Sequence, residues 1–282
     1  MGPDAGSLSS VEKQAEQLRI NGNNYFKKYR FGAAIDAYTE AITLSPNVAV
    51  YWTNRAICHS KRNDWRRVEE DSRHAIELDN NSVKAHYMLG LALLQRKEFA
   101  KGILELEKAL DLCRGAHPNS YMVEEIQKEF RNAKYTQWDL SSTNRTRELQ
   151  CLKQVCESAL WHKHSLDVSQ SEGLTENATA AYLQQLEVLE RVINKVAEPD
   201  IPTEVPDYLC CRITLDIFRD PVITPSGLTY ERAVILEHLE KVGKFEPVTR
   251  EPLDPSQLIP NLAIKEAVQA FLDTHGWAYK TY

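Results

Sequence analysis

Residues Asp207 to Leu262 read DYLCCRITLDIFRDPVITPSGLTYERAVILEHLEKVGKFEPVTREPLDPSQLIPNL, and this stretch decides the fold of the C-terminal part of the chain. Two irregular apolar loops, Leu209 to Asp220 and Lys244 to Leu258, enclose a short β-like passage at Val222–Ile223 and an amphipathic helix from about Arg232 to Val242. A module this small has a marginal hydrophobic core and normally gains stability from metal ions that cross-link its loops. We therefore expect a small α+β module that needs such links or a substitute for them.

Metal ligands are too few in this stretch to supply the links. The cysteines are the adjacent Cys210 and Cys211, and the histidines that follow are His238 and His275, which cannot build two tetrahedral zinc sites. We predict no metal and no other cofactor. Hydrogen bonds and charge pairs are expected to hold the loops, among Arg219, Asp220, Glu231, Arg232, Thr249, Arg250 and Asp254.

Several sequence segments in this order are typical of one family. They are residues 206–210 (PDYLC), 220–227 (DPVITPSG), 229–232 (TYER), 247–250 (PVTR) and 258–261 (LIPN). On these segments the module resembles the U-box family, which has the RING layout without zinc. The resemblance implies a ubiquitin ligase that recruits a ubiquitin-charged conjugating enzyme and forms no covalent intermediate on its own chain.

Composition limits the remaining possibilities. At 282 residues the chain has room for about two domains. A formal net charge of -6 argues against a dedicated nucleic-acid binder. Neither a membrane span nor a signal peptide is recognisable, and the six cysteines show no disulfide framework. We expect no nucleic-acid or membrane partner and a reducing location, the cytoplasm or the nucleus.

A period of 34 residues runs through the N-terminal part of the chain. Four registers repeat three times each: Gly22/Ala56/Gly90, Phe31/Trp65/Phe99, Ala41/Ala75/Ala109 and Leu44/Leu78/Leu112. Small residues allow paired helices to approach closely, and the aromatic residue opens the second helix of each pair. The pattern resembles three tetratricopeptide repeats, at about Ala15–Asn47, Ala49–Asn81 and Val83–Arg114, whose first helices line a concave groove.

The middle of the chain reads as helical. A capping helix is predicted from Ser120 to Leu152, with a weaker continuation, and a polar break at Ser169–Gly173 precedes a second helix from Thr175 to Val196. The two helices suggest a hairpin. An apolar stripe on the second helix predicts self-association as a homodimer, and its members are Tyr182, Leu186, Leu189, Val192 and Val196.

The predicted fold class is mostly α: a three-repeat superhelix, a helical-hairpin middle and a small α+β module. The boundaries are a flexible tail (1–10), the repeats (11–117), the capping and hairpin region (118–198), a linker (199–206) and the C-terminal module (207–282). The linker, rich in proline, is expected to be extended with no helix. A last amphipathic helix is predicted from Asn261 to His275.

Polar side chains on the first helices predict what the groove holds. Arg19 and Asn23 lie one turn apart, Asn54 and Lys61 follow on the next first helix, and Lys84 lies on the third. Amides and cations that converge in this way suit a terminal carboxylate with an acidic side chain beside it. The alternative is that Asn54 is part of a polar helix start and that the lysines form a solvated face.

The set resembles the dicarboxylate clamp that holds the acidic C-terminal tails of cytosolic heat-shock chaperones. Asn23, Asn54 and Lys84 match the clamp, and Arg19 stands where lysine is usual. Met88 departs from it, because many clamps have a basic residue there. We expect Tyr87 and Met88 to form an apolar subsite for a side chain upstream of the acidic terminus.

Repeats, a helical middle and a U-box together resemble the CHIP family of chaperone-linked ubiquitin ligases. The resemblance implies four partners: heat-shock chaperones, a conjugating enzyme, ubiquitin and the clients that the chaperones hold. It places Ile213, Leu215, His238 and Pro247 at the surface that contacts the conjugating enzyme. The alternative for Ile213 and Leu215 is that both belong to the core.

Arg250 stands where the family has a residue that faces both the enzyme and its linked ubiquitin. Its guanidinium could hold the thioester in a pose ready for attack, whereas the alternative is a pair with Asp254 or Glu251 inside the loop. Cys210 and Cys211 read as packing residues, because no basic group that would activate a thiol is nearby in the sequence.

Three functions remain open. The first is a ligase that reads chaperone tails with its repeats and ubiquitinates clients or the chaperone itself. The second is a non-catalytic co-chaperone scaffold, and the third is a U-box ligase whose repeats bind a different acidic peptide.

Overall fold

The computed structural model describes residues 10–116, 121–170 and 175–280. It divides into two compact units, Met1–Lys134 and Tyr135–Tyr282. The expected N-terminal tail, the proposed cap at Ser120 and the centre of the polar break at residues 171–173 lie outside the described residues.

Six helices between residues 10 and 116 form the three predicted pairs. They are α1 (Ser10–Lys27), α2 (Phe31–Leu44), α3 (Ala49–Ser60), α4 (Trp65–Leu78), α5 (Val83–Gln95) and α6 (Phe99–Ala116). The aromatic residue of the repeat is the first residue of α2, α4 and α6, which confirms the prediction. Val123 and Ile126 at the start of the next helix pack against the third pair and complete its core.

Each pair is closed by a small residue on the first helix that faces a matching residue on the second. A Cβ on Gly22 would collide with the ring of Tyr38, and one on Gly90 would lie 2.8 Å from Leu106 Cδ2. In the middle pair the corresponding positions hold Ala56 and Ser72, both fully buried. Where the second helix has a large side chain, the first helix has glycine, and where the second helix has serine, the first has alanine. The backbones of the two helices in each pair can therefore approach closely.

The turns inside the pairs share one strained residue. Tyr29, Asn63 and Lys97 each have a φ near 60° and occupy the same position of the 34-residue period. This left-handed backbone conformation is uncommon for residues other than glycine. The three turns therefore have a common geometry and project from the same edge of the stacked pairs.

A long hairpin follows. Helix α7 runs from Tyr121 to Gln170 without a break, and α8 spans Thr175–Ala197. Lys153 lies 3.6 Å from Glu190, and the His164 ring stacks on Tyr182 at 4.8 Å, as expected for antiparallel helices.

The predicted apolar stripe on α8 is divided between two environments. Tyr182, Leu186 and Leu189 are half-buried, and the tyrosine ring packs on α7. Val192 and Val196 are 54% and 56% exposed. The other arm of the hairpin therefore covers part of the first half of this stripe, through Tyr182.

The linker also differs from its prediction. Residues Glu198–Asp200 form a 3₁₀ turn, and side chains of α7 hold the Asp200 carboxylate. Trp138 Nε1 donates to it at 3.1 Å, and Arg145 forms two bonds of 2.5 and 2.8 Å. The Arg145 hydrogen bonds lower the pKa of Asp200. Trp138 also covers Gly276, where any Cβ would collide with the indole, so α7 packs directly on the C-terminal module.

The C-terminal module contains the predicted β segment and both predicted helices in the predicted order, with two further short strands. They are β1 (Pro221–Ile223), β2 (Thr229–Glu231), α9 (Arg232–Lys241), β3 (Ile259–Pro260) and α10 (Leu262–Thr274). The strands form an antiparallel sheet in the order β2-β1-β3. Asn261 begins α10 as its N-cap, since its side chain accepts a hydrogen bond from the Ile264 amide.

The first loop closes through its own backbone. Cys211 N donates to Asp216 O at 2.8 Å, and Leu215 N donates to Cys211 O at 2.8 Å. A β-bridge between Cys210 and Ile217 closes its base.

The second loop repeats this pattern. Glu246 N donates to Glu251 O at 2.9 Å, Arg250 N donates to Glu246 O at 3.0 Å, and Phe245 pairs with Pro252. The two loops are thus built alike, with Cys211 and Glu246 at matching positions.

Two carboxylates, the half-buried Glu231 and the buried Glu246, connect the loops to the rest of the module. Glu231 accepts hydrogen bonds from the amides of Arg219 and Asp220 at 2.8 and 3.0 Å, as the predicted network requires. Burial raises the pKa of Glu231.

Glu246 was missed in the sequence and is only 2% exposed. It accepts the Tyr230 hydroxyl and the Thr249 amide, so one side chain joins β2 to the second loop. Burial disfavours its charged form, but the hydrogen bonds from Thr249 and Tyr230 outweigh burial and lower the pKa of Glu246.

No cluster of three or more His, Cys, Asp or Glu side chains in the described ranges is arranged to hold a metal ion. Among the helices described, none is long and apolar enough to span a bilayer.

Replacing Gly90 with alanine should destabilise the repeats by about 1–3 kcal/mol, because the new methyl group overpacks against Leu106 and the Gly102 carbonyl. Gly32→Ala is the control: nothing lies within 4 Å of its Cβ position, so the same change should be neutral or stabilise by up to about 1 kcal/mol. Urea unfolding of the full chain, followed by helical circular dichroism, measures both. Equal effects of the two substitutions would contradict this packing.

Glu246→Gln should destabilise the C-terminal module by about 2 kcal/mol at pH 7, since hydrogen bonds to a charged acceptor are weakened. A carboxylate with a lowered pKa stabilises the fold above its ordinary value of about 4.5 and loses that contribution as the pH falls through the folded pKa. The difference between wild type and Glu246→Gln should therefore shrink below pH 4.5. Urea unfolding followed by tryptophan fluorescence at several pH values measures it, with the exposed Glu240→Gln as control. A difference that stays constant down to pH 3.5 would rule out this role.

Candidate functional site

Two amide side chains of the predicted clamp meet in the groove. Asn23 Oδ1 accepts the Tyr38 hydroxyl at 2.7 Å and faces Asn54 Nδ2 at 3.4 Å. Asn23 is thereby held from α2 and α3 together, with its carbonyl oxygen occupied. In the described part of the chain its Nδ2 group has no acceptor, so it remains a donor for a ligand carboxylate.

Arg19 lies one turn before Asn23 and already has a partner. Its guanidinium binds Glu16 with contacts of 2.8 and 2.5 Å, and this hydrogen bond lowers the pKa of Glu16. The Arg19 side chain is 27% exposed, so it borders the groove as part of an ion pair. A ligand carboxylate must compete with Glu16 for it.

The two lysines of the predicted set are exposed. Lys84 lies at the start of α5, and Lys61 is the residue that follows α3, so it caps that helix where the sequence placed it on the helix itself. Neither has a carboxylate within ion-pair distance in the described ranges. Both are available to a negatively charged ligand.

Tyr87 and Met88 occupy a different environment from the one predicted. Each is 7% exposed and belongs to the core cluster that includes Ala56, Val68 and Leu106. The helix that carries them is central in the array and is buried on most of its surface. Their burial leaves little apolar surface for a peptide, so the structure does not support the proposed apolar subsite.

A buried ion pair next to Asn54 was missed by the sequence reading. Arg55 binds both oxygens of Asp71 at 2.9 and 2.7 Å and lies 5.0 Å over the Trp52 ring. Asp71 is 4% exposed, and His59 lies 4.0 Å from it. Burial lowers the pKa of His59 more than the neighbouring carboxylates raise it. The pair fixes α3 on α4, so it orients the groove face that carries Asn54.

A second candidate surface lies on the two loops of the C-terminal module. Ile213 is 43% exposed and Leu215 is 77% exposed, which excludes the alternative that both belong to the core. Pro247 is half-buried on the other loop, and the adjacent Val248 is 59% exposed. Val248 occupies the position in its loop that Ile213 has in the first, so it extends the apolar surface beyond the predicted set.

The loop residues with the most unusual backbone are two of the predicted site residues. Leu215 and Arg250 both have φ near 60°, at matching positions of their loops. Strained conformations of this kind are concentrated at functional sites. Here the backbone hydrogen bonds that close each loop, Leu215 N to Cys211 O and Arg250 N to Glu246 O, fix the orientation of these two residues.

Arg250 is oriented by an aromatic ring. Its guanidinium lies 5.0 Å over Phe245, and within the residues described it forms no ion pair with Glu251 or Asp254. Asp254 instead caps the following 3₁₀ turn through the Ser256 amide. The alternative of an internal charge pair is therefore wrong, and the guanidinium is free to donate hydrogen bonds.

His238 is turned toward the second loop. Its Nε2 lies 3.0 Å from the Phe245 carbonyl oxygen, and its ring meets the Phe245 ring edge to face at 5.2 Å. It is half-buried, so the structure gives it a supporting position behind Phe245, on which Arg250 stacks. Direct contact of His238 with a conjugating enzyme stays a prediction.

No base that could activate the two adjacent cysteines contacts them among the residues described. Cys211 is buried, and its Sγ accepts from the Glu231 amide at 3.5 Å. Burial, with Asp207 and Asp216 nearby, raises the pKa of the Cys210 thiol. Cys210 is therefore a poor nucleophile at neutral pH.

Known families match the chain at its C-terminus and within the array. The U-box domain matches residues 205–277, and the tetratricopeptide repeat matches residues 83–115. The "Dynein axonemal assembly factor 4" of Rattus norvegicus is 33% identical over 138 residues, which cover 46% of this chain and 32% of that protein.

Solved repeat domains resemble part of the chain. The "TPR2B-domain:pHsp70-complex of yeast Sti1" has a TM-score of 0.41 at 30% identity and covers 43% of this chain and 96% of its own. The "First TPR of Spaghetti (RPAP3) bound to HSP90 peptide SRMEEVD" has a TM-score of 0.40 at 28% identity and covers 43% and 91%.

One relative matches nearly the whole chain. The "E3 ubiquitin-protein ligase CHIP" of Arabidopsis thaliana is 65% identical over 266 residues, which cover 94% of this chain and 96% of the relative. The match includes the repeats, the long hairpin and the module with the two loops, and it settles the family. The chain belongs to the CHIP family of U-box E3 ubiquitin-protein ligases.

Proposed function

We propose that the repeats bind the acidic C-terminal tail of heat-shock chaperones and that the U-box passes ubiquitin from a charged conjugating enzyme to the clients those chaperones hold. Membership of the CHIP family supports the ligase activity. The observation that carries the peptide-binding half is the contact between Asn23 and Asn54, with exposed Lys84 on the neighbouring first helix.

The groove suits a terminal carboxylate for electrostatic reasons. Asn23 Nδ2 offers a neutral donor in a fixed orientation, and Lys61 and Lys84 offer charge without a competing carboxylate. Hydrogen bonds between ionised groups are about twice as strong as neutral ones. A peptide whose C-terminal carboxylate and acidic side chain meet these donors is preferred over one with a neutral end.

The transfer step needs no nucleophile on this chain. Ile213, Leu215, Pro247 and Val248 provide an apolar surface on which a conjugating enzyme can dock. Arg250, stacked on Phe245, then presents its N–H donors to the enzyme and its linked ubiquitin. Holding the thioester in one orientation accelerates attack by a lysine, because less orientational freedom is lost in the transition state.

The chain is further proposed to act as a homodimer in a reducing compartment, the cytoplasm or the nucleus. Exposed apolar side chains on the hairpin support association, among them Val155, Trp161, Val188, Val192 and Val196. All six cysteines are free, as expected where disulfides do not form.

Peptide binding can be tested with the full chain and a fluorescent SRMEEVD peptide, the sequence held by the Spaghetti repeat domain. Fluorescence anisotropy should show that amidation of the peptide C-terminus, or Lys84→Ala, weakens binding by about tenfold or more, since one charge-assisted hydrogen bond contributes about 1.5–3 kcal/mol. Lys128→Ala, an exposed lysine on α7, should leave affinity unchanged. Equal binding of the free and the amidated peptide would refute the clamp.

Ubiquitin transfer can be divided into docking and activation. Ile213→Ala should weaken binding of the conjugating enzyme and slow ubiquitin discharge together, because it removes docking surface. Arg250→Ala should retain binding and lose most of the discharge. A discharge assay with free lysine as acceptor, beside a pull-down of the enzyme, measures both, with the exposed Leu262→Ala as control. Ile213→Ala with wild-type discharge would overturn the docking assignment.

A further inference from the structure

One edge of the repeat array is strongly basic, although the chain as a whole has a formal net charge of -6. The edge consists of the turns inside the helix pairs, residues 27–30 (KKYR), 61–67 (KRNDWRR) and 95–101 (QRKEFAK). The shared left-handed residue and the 34-residue spacing place these turns side by side along the stack. Their cations are exposed to solvent.

Two of the three cations of the third turn, all but Lys97, are paired within the fold. Arg96 lies 2.6 Å from Glu69 and 3.3 Å from Glu98, and Lys101 lies 2.8 Å from Glu98. Charges that are already paired offer little to an external partner.

The first two turns are different, because five of their cations lack a carboxylate partner in the described ranges. One of them, Arg30, lies over the Tyr25 ring. The other four are Lys27, Lys28, Lys61 and Arg62, and we call them the free-cation patch. The neighbouring Arg66 and Arg67 are paired with Glu70 and Asp64. Unpaired charge is therefore concentrated at one end of the edge.

The free-cation patch is continuous with the clamp. Lys27 follows Asn23 by one helical turn on α1. Lys61, the residue that caps α3, follows Asn54 by about two turns, so each lysine lies along the helix face that carries its amide. The rise of an α-helix sets the second separation at about 10 Å, roughly three residues of extended peptide. A peptide held at the amides reaches the patch after a few residues.

We infer that the free-cation patch binds a second acidic stretch of the chaperone polypeptide, a few residues before its C-terminal tail. This inference rests on the proposed function, because the tail in the clamp brings the acidic stretch to the patch at high effective concentration. Four unpaired cations beside a carboxylate-binding groove complement an acidic polypeptide. The patch thereby selects among chaperones that share a tail and differ in the sequence before it.

The test compares two peptides on the full chain by fluorescence anisotropy. Both end in EEVD, the last four residues of the peptide used above, and one carries directly before it about six alternating Glu and Ser residues, the other an equal stretch of Gly and Ser. Wild type should bind the acidic peptide about tenfold more tightly at low salt, and the gain should shrink as salt screens the charges. Equal affinity for both peptides would overturn the inference.

The variant Lys28→Glu/Arg62→Glu changes matching positions of the first two repeats and leaves the clamp residues in place. This variant should bind the Gly/Ser peptide with wild-type affinity and should no longer bind the acidic peptide more tightly than the Gly/Ser peptide. Lys128→Glu/Lys163→Glu on α7, with the same change in net charge, should keep the gain. Loss of the gain in both variants would show a long-range charge effect and refute a local patch.

Two further outcomes distinguish binding of an acidic peptide from membrane binding by the patch and from failure of the proposed clamp. If Lys28→Glu/Arg62→Glu abolishes sedimentation of the chain with anionic phosphatidylserine vesicles and leaves peptide affinities unchanged, the patch binds membranes and the inference is wrong. If neither peptide binds wild type, the proposed clamp fails and the inference fails with it. Failure of the inference alone shows as tight binding of both peptides with equal affinity.

Discussion

The C-terminal module depends on one buried carboxylate, that of Glu246. It accepts the Tyr230 hydroxyl from the sheet and the Thr249 amide from the second loop, in a place where a metal ion would otherwise hold such loops together. Because this loop positions Phe245, and Phe245 supports Arg250, the transfer surface depends on the hydrogen bonds of Glu246. A carboxylate connects only the few groups that can donate a hydrogen bond to it, so the module needs more than one. The second is Glu231, which accepts the Arg219 and Asp220 amides of the first loop.

The repeats use a different constraint, close approach of helix backbones. Gly22 and Gly90 leave room for Tyr38 and Leu106, and the small Ala56 and Ser72 serve the middle pair. This packing has a direct consequence for the groove. The Tyr38 hydroxyl extends past the packed glycine to Asn23, so the residue that fills the first pair also orients the first amide of the proposed clamp.

Sequence periodicity predicted the helices because each repeat must bury the same positions. The exposed apolar loop residues and the meeting of the two amides were also predictable, since motif segments fix them locally. Burial of Glu246 was not predictable, because a charged residue in a loop gives no sign in the sequence that the fold will bury it. Burial of Tyr87 and Met88 escaped prediction for a related reason: exposure of α5 depends on neighbours on both sides. The 3₁₀ turn at Asp200 depends on Arg145, which is far away in sequence.

The central claim is that one chain couples reading of a free acidic C-terminus to zinc-free ubiquitin transfer. The most direct measurement is reconstituted ubiquitination of a folded reporter protein that ends in SRMEEVD, in the presence of a strong metal chelator, compared with the same reporter ending in SRMEEVD followed by a short neutral extension. The account predicts efficient modification of the first reporter, unaffected by the chelator, and little modification of the second. Equal modification of both reporters, or loss of transfer in the chelator, would contradict it.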